Sequence, residues 1–195
     1  MKNMTSTSWL EHWKTPDYIE KKKYAFNITD EYLKTIPDYE PRFILDIGCG
    51  LAFESEMFQK KYESLLYLLD DDFDNNTEDQ KRSIFFGSPN TFKFYSNIND
   101  LFESYKEREL QYNFVYARNP KIDDTVKFDL IYSNRSCGFH YPADSYNELI
   151  KKHSYEKTVI ILDIWKEVFD KQMENFNLIN IIEDGEQHYK VHITF

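Results

Sequence analysis

Short apolar runs and longer amphipathic stretches alternate along this chain. Runs at 42–46, 64–69, 112–117, 128–132 and 157–163 are rich in aliphatic, β-branched and aromatic residues. They are too short for helices and read as buried parallel strands, the clearest being Lys157-Thr158-Val159-Ile160-Ile161-Leu162-Asp163. Between them, residues 53–62, 97–109, 144–152 and 165–175 carry helical spacing, with Ile98, Leu101, Phe102 and Tyr105 on one face. Residues 8–36 predict one or two amphipathic helices, with Thr15-Pro16-Asp17 as a cap and Ile36-Pro37 as the stop. A hairpin closes the chain: 178–182, a turn at Glu183-Asp184-Gly185-Glu186, then 188–195 with alternating polarity. The polar, asparagine-rich stretch 74–90, with a turn at Gly87-Ser88-Pro89-Asn90, is the least rigid by composition. Strands alternating with helices predict an α/β fold with a mostly parallel sheet and one antiparallel closing strand. With no internal repeat, residues 1–195 read as a single domain, 1–41 as a helical cap and 42–195 as the core.

One segment concentrates chemistry. In Phe43-Ile44-Leu45-Asp46-Ile47-Gly48-Cys49-Gly50 an apolar strand ends in glycines, and a helix follows. Glycines there let the backbone turn tightly and approach a ligand that side chains would exclude. Asp46-Ile47-Gly48-Cys49-Gly50 resembles the first motif of class I S-adenosylmethionine-dependent methyltransferases, with Leu51-Ala52-Phe53 where a third glycine is usual. Ala52 is small enough to keep the turn. The resemblance spans 43–195 and implies a Rossmann-like seven-stranded sheet with a C-terminal antiparallel hairpin and helices on both faces. It also implies S-adenosylmethionine as cofactor, with Asp46, Gly48, Cys49 and Gly50 at its methionine part.

Asp70-Asp71-Asp72 follows the second strand about 20 residues after the turn, where an acid can accept ribose hydroxyls. Asp70 is the favoured ribose ligand and Asp71 is placed with it on the cofactor side, while two of the three carboxylates are expected to point to water. Asn119, after the third strand, could bond an adenine edge, and could equally be a turn residue before Pro120. A nicotinamide dinucleotide is the rival ligand, but Phe53 and Glu54 crowd and repel a pyrophosphate where it needs a further glycine.

The fourth strand leads into Ser133-Asn134-Arg135-Ser136-Cys137-Gly138-Phe139-His140-Tyr141-Pro142, which resembles a pattern of small bacterial and phage sugar O-methyltransferase-like proteins. Cys137 departs from it, standing where an aromatic residue is expected. Ser133 is assigned to the cofactor side. His140 is the candidate general base, because imidazole titrates near neutrality, with Tyr141 beside it at the acceptor. Asp163 is a second base candidate, or else a helix N-cap. Asn134 lacks the proline pair and aromatic of amino-directed DNA methyltransferases.

Charge narrows the partners. The chain carries 24 Lys and Arg against 34 Asp and Glu, a net charge of -10, which opposes a nucleic-acid surface. No apolar run could span a membrane, and the polar start is unlike a signal peptide, so a cytoplasmic protein is expected. Cys49 and Cys137 read as reduced, and neither they nor the histidines show metal-ligand spacing. The combined expectation is methyl transfer to a small hydroxylated molecule, a sugar or glycan precursor. The alternative is a catalytically inactive S-adenosylmethionine-binding or regulatory protein.

Overall fold

In a computed structural model of the chain, residues 6–77 and 94–195 are described. The predicted runs become five parallel strands: β1 (Phe43–Ile47), β2 (Leu65–Asp70), β3 (Tyr112–Tyr116), β4 (Leu130–Ser133) and β5 (Val159–Trp165). The hairpin β6 (Asn177–Asp184) and β7 (His188–Thr194) completes a seven-stranded sheet in the order β3-β2-β1-β4-β5-β7-β6, with β7 antiparallel to both neighbours. The edge strand β6 is interrupted by two register shifts, which discourage pairing with another chain.

Side chains alternate across the sheet with the strand period of two. Ile44, Leu66, Leu68, Leu130 and Ile161 pack on one face against α2 (Pro16–Leu33), α3 (Phe53–Tyr62) and α4 (Ile98–Glu107), through Leu33, Phe58, Leu101 and Tyr105. Leu45, Ile47, Leu69, Ile131 and Leu162 pack on the other, against Ile150 of α5 (Asn147–His153) and Phe169 and Met173 of α6 (Phe169–Met173). Ahead of these lies α1 (Ser6–Trp13). The Thr15 hydroxyl accepts from the Tyr18 amide at 3.4 Å and Pro16 enters the first turn of α2, as the sequence predicts. Asp30 ties α2 to α3 by accepting from Tyr62 Oη at 2.6 Å and from Lys61.

Four of the boundaries that differ from expectation have a visible setting. β4 starts at Leu130, and just before it the Asp129 carboxylate accepts the Arg42 and Phe43 amides, each at 2.8 Å, and clamps the entry to β1. The predicted helices over 144–152 and 165–175 begin as 3-10 turns, Ala143–Tyr146 and Lys166–Val168. β5 extends to Trp165 because β7 continues the ladder through Asp163↔Lys190 and Trp165↔His188. Asp163 is therefore inside a strand and caps no helix. The turn at Gly87-Ser88-Pro89-Asn90, and most of the polar stretch around it, lies outside the described residues.

Asp46 points to the α3 face. Its Oδ2 accepts Ser55 Oγ at 2.7 Å and Tyr132 Oη at 2.9 Å. Burial, and then the nearby Glu54 charge, push its carboxyl up to about 7 despite those donors. A carboxyl raised in the folded state contributes stability that is complete below its unfolded pKa of about 3.9 and is lost as pH rises towards 7. Asp46→Asn should escape that loss. The melting temperature of the variant minus that of wild type should grow between about pH 4.5 and pH 7 and then level off. A gap that shrinks over that interval contradicts the assignment.

Candidate functional site

β1 and β4 are neighbours, yet the chain leaves β1 towards β2 and β4 towards β5. That divergence opens a crevice at the carboxyl ends of the strands, the usual ligand position in such sheets. The turn after β1 forms one wall. Gly48 and Gly50 have φ of 74° and 49°, values glycine adopts at no steric cost. The Gly48 and Cys49 amides donate to Leu69 O at 2.7 and 3.2 Å, and the Gly50 amide donates to Asp70 Oδ2 at 2.8 Å. Ala52 also sits in the left-handed region, with φ of 53°. The substitution of a third glycine therefore keeps the turn at a strain of about 1–2 kcal/mol.

The loop after β4 forms the facing wall. Ser133 Oγ donates to Ile47 O and accepts the Cys137 amide, both at 2.8 Å. Ser136 lies directly on Gly48: a Cβ there would stand 1.8 Å from Ser136 Oγ and 3.5 Å from Tyr141 Oη. Ser136 Oγ donates to Tyr141 Oη at 3.0 Å. Between the walls lies a cavity of about 600 Å³.

Gly48, Cys49, Gly50, Asp70, His140 and Tyr141 line this cavity together, as the sequence placed them. Asp46, Asp71, Asn119 and Ser133 are not among its lining residues. Asp46 lies in the network behind the turn, and Ser133 links the two walls. Asp71 is buried, accepting the Asp72 amide at 2.8 Å and the Arg118 amide at 3.0 Å. Asn119 is exposed. The expectation that the acids beside Asp70 face water fails for a plain reason: both cap backbone amides, Asp72 those of Asp74 and Ile98 at 2.8 and 3.1 Å.

Burial pushes the Asp70 carboxyl up to about 6, although the Asp71 and Gly50 amides pull it down. His140 departs from the near-neutral imidazole expected of it. Burial above all, then the charges of Arg135 and Lys22, depress it to about 4, so it is neutral at pH 7. Its ring sits 5.1 Å from that of Phe139 and 5.4 Å from that of Tyr95.

Sequence reasoning named Asp163 but missed the polar residues that meet it and a further set nearby. Lys190 Nζ donates to Asp163 Oδ1 at 2.6 Å, and both residues are buried. His188 Nε2 stands 3.7 Å from Asp163 Oδ2 and 3.8 Å from Glu183 Oε2. Lys22 Nζ donates to Glu54 Oε1 at 3.1 Å, and Asn134 Nδ2 donates to the same oxygen. One signal was present: an acid inside the most apolar run needs buried donors to satisfy it. Their identity depends on the β5–β7 pairing. Trp13, Tyr18 and Tyr24 bring the N-terminal helices to the cavity, and Trp13 passes 3.9 Å from where a Gly50 Cβ would lie. The Trp9 side chain is outside the description. Among the described residues no cluster of His, Cys, Asp or Glu could hold a metal ion.

No protein-family model matches the chain, and no curated protein matches it in sequence. Solved structures do resemble it. It is similar to a methyltransferase from Pyrococcus furiosus at 13% identity and a TM-score of 0.55, over 85% of this chain and 81% of that one. For the PH0226 protein from Pyrococcus horikoshii OT3 the figures are 13%, 0.60, 93% and 92%. For the plantazolicin methyltransferase BpumL, in complex with a monoazolic desmethylPZN analog and SAH, they are 15%, 0.53, 86% and 55%. At these identities the likeness is one of fold.

Gly48→Ala should strain the left-handed backbone and collide with Ser136. Adding Ser136→Gly should restore only part of the stability, leaving about 1–2 kcal/mol of strain in urea denaturation. Full recovery in the double variant would show that the collision alone demands glycine.

Proposed function

We propose that the protein is an S-adenosylmethionine-dependent methyltransferase acting on the hydroxyl of a small molecule, such as a sugar or glycan precursor. One observation carries the reading: the Gly48–Gly50 turn, the Asp70 carboxylate bonded to it, and His140 share a single cavity at the β1/β4 divergence. The likeness in fold to methyltransferases supports it.

The residues fit this cofactor better than a phosphate-bearing one. Among the described residues only Trp13 comes within 4 Å of a Cβ position at Gly50, so the turn leaves room. Asp70, buried and among the described residues accepting only from the Gly50 and Asp71 amides, retains lone pairs for the two ribose hydroxyls. Glu54, in the first turn of α3, places a carboxylate where a pyrophosphate would need a helix N-terminus. When bound, S-adenosylmethionine supplies an electrophilic methyl group.

The rest of the chemistry belongs to the chain. His140, neutral at pH 7, has a nitrogen lone pair for the proton of the attacking hydroxyl. Tyr141, bonded to Ser136 and set against Gly48, holds the acceptor side of the turn. Trp13 and Tyr18 cover the cavity and limit water, so that catalysis is positioning plus proton removal. In this reading the N-terminal helices act as a lid.

Calorimetric titration should show micromolar binding of S-adenosylmethionine and of its demethylated product. Asp70→Ala should weaken both by about 1.5–3 kcal/mol, the worth of hydrogen bonds to a charged group. Binding of neither by the wild type sinks the reading.

His140→Asn should leave that binding intact and lower kcat on a hydroxylated acceptor about 10²–10⁴-fold. Cofactor binding with no methylated product from any hydroxylated acceptor would leave a catalytically inactive binding protein.

A further inference from the structure

We infer that the cavity contains an oxyanion site centred on Arg135, and that the methyl acceptor carries a carboxylate or a phosphate seated there. The word acceptor rests on the methyltransferase reading; the anion site does not.

Among the described residues, four cations line the cavity, and they divide into two kinds. Lys22 and Lys190 are neutralised, by Glu54 at 3.1 Å and Asp163 at 2.6 Å. Arg135 and Lys21 make no ion pair with any described residue. Arg135 is also held in an unfavourable backbone conformation. Its φ is 53°, the left-handed region that glycine or asparagine would fill with less strain. The conformation is imposed by the Arg135 amide donating to Asp163 Oδ2 at 3.1 Å, and Asp163 is itself fixed by Lys190. Non-glycine residues kept in such conformations cluster at ligand sites. Here the strain sets an arginine, with its forked guanidinium suited to carboxylate and phosphate, at the mouth of the crevice.

Its charge reaches three walls of the cavity. It acts on Tyr18 of α2, on His140 of the β4 loop and on His188 of β7, favouring the deprotonated form of each. The neighbouring acids are engaged: Asp163 with Lys190, Glu183 facing His188 at 3.8 Å, and Asp70 with the Gly50 amide at 2.8 Å. Arg135 is exposed at the rim of this cavity, so its fork is open to an entering anion, and in a chain of net charge -10 it does not belong to a general basic surface. The rival occupant of the same fork is the carboxylate of the cofactor's own amino-acid part.

The test titrates protein saturated with S-adenosylhomocysteine with glucose 6-phosphate, glucuronate, inorganic phosphate and neutral glucose. It follows affinity and the Arg135 Nε–H resonance. The charged sugars should bind at least about tenfold more tightly than glucose and move that resonance, and the preference should fade with salt. A response to glucose 6-phosphate and inorganic phosphate alone identifies a phosphate site, and one to glucuronate alone a carboxylate site. Arg135→Gln should abolish the preference and leave S-adenosylhomocysteine affinity unchanged. Arg135→Gly, which relieves the left-handed strain, should abolish it while melting no lower than wild type.

Equal binding of glucose and the charged sugars, or an Arg135 resonance unmoved by all three anions, overturns the inference. So does an equal loss of S-adenosylhomocysteine affinity in both variants, which would give Arg135 to the cofactor. If S-adenosylhomocysteine fails to bind wild type, the methyltransferase reading fails by itself. The same titrations on ligand-free protein then decide the anion site.

Discussion

The hydroxyl of Ser133 joins two strands that the chain sends apart. It donates to Ile47 O at the end of β1 and accepts the Cys137 amide from the loop after β4. Without such a link the crevice between diverging connections would have no fixed width, since neither loop belongs to the ladder at that point. Ser136 then packs on Gly48 closely enough that no Cβ fits, and Tyr141 follows through its bond to Ser136. The glycine serves contact between the two walls as well as the freedom of the turn.

Charge inside this protein is sorted by the kind of donor each acid meets. Asp163, Glu54 and Asp30 each meet a lysine, and their charges are compensated. Asp46 and Asp70 meet only hydroxyls and backbone amides, so burial prevails and their carboxyls rise. Of these two, Asp46 is enclosed by Ser55 and Tyr132 while Asp70 opens on the cavity. That difference, and not sequence distance from the glycines, separates an acid enclosed in the scaffold from one that faces the cavity.

Two residues show the cost of reading chemistry from residue type alone. A histidine in a loop suggests a base with an ordinary pKa, but burial and two nearby cations hold His140 near 4. A run of three aspartates suggests one binding residue and two solvated ones. The fold instead spends Asp71 and Asp72 on amides at the ends of the following loop and helix.

The sequence by itself determined the fold and the position of the glycine turn. Strand and helix periodicity, turn glycines and the hairpin are local patterns, and they specify elements whatever lies beside them. For the same reason Gly48, Cys49, Gly50, Asp70, His140 and Tyr141 could be placed near one another in advance, since each follows the carboxyl end of a central strand. Only the tertiary structure decided which polar residues share the cavity. Lys190 meets Asp163 because β7 pairs antiparallel with β5, and Lys22 meets Glu54 because α2 lies across α3. The structure also shows which donors and acceptors Asp46, Asp71 and Ser133 meet within the fold. Hydrogen bonds and charges act through space at a few ångströms, and separation along a chain does not report that distance.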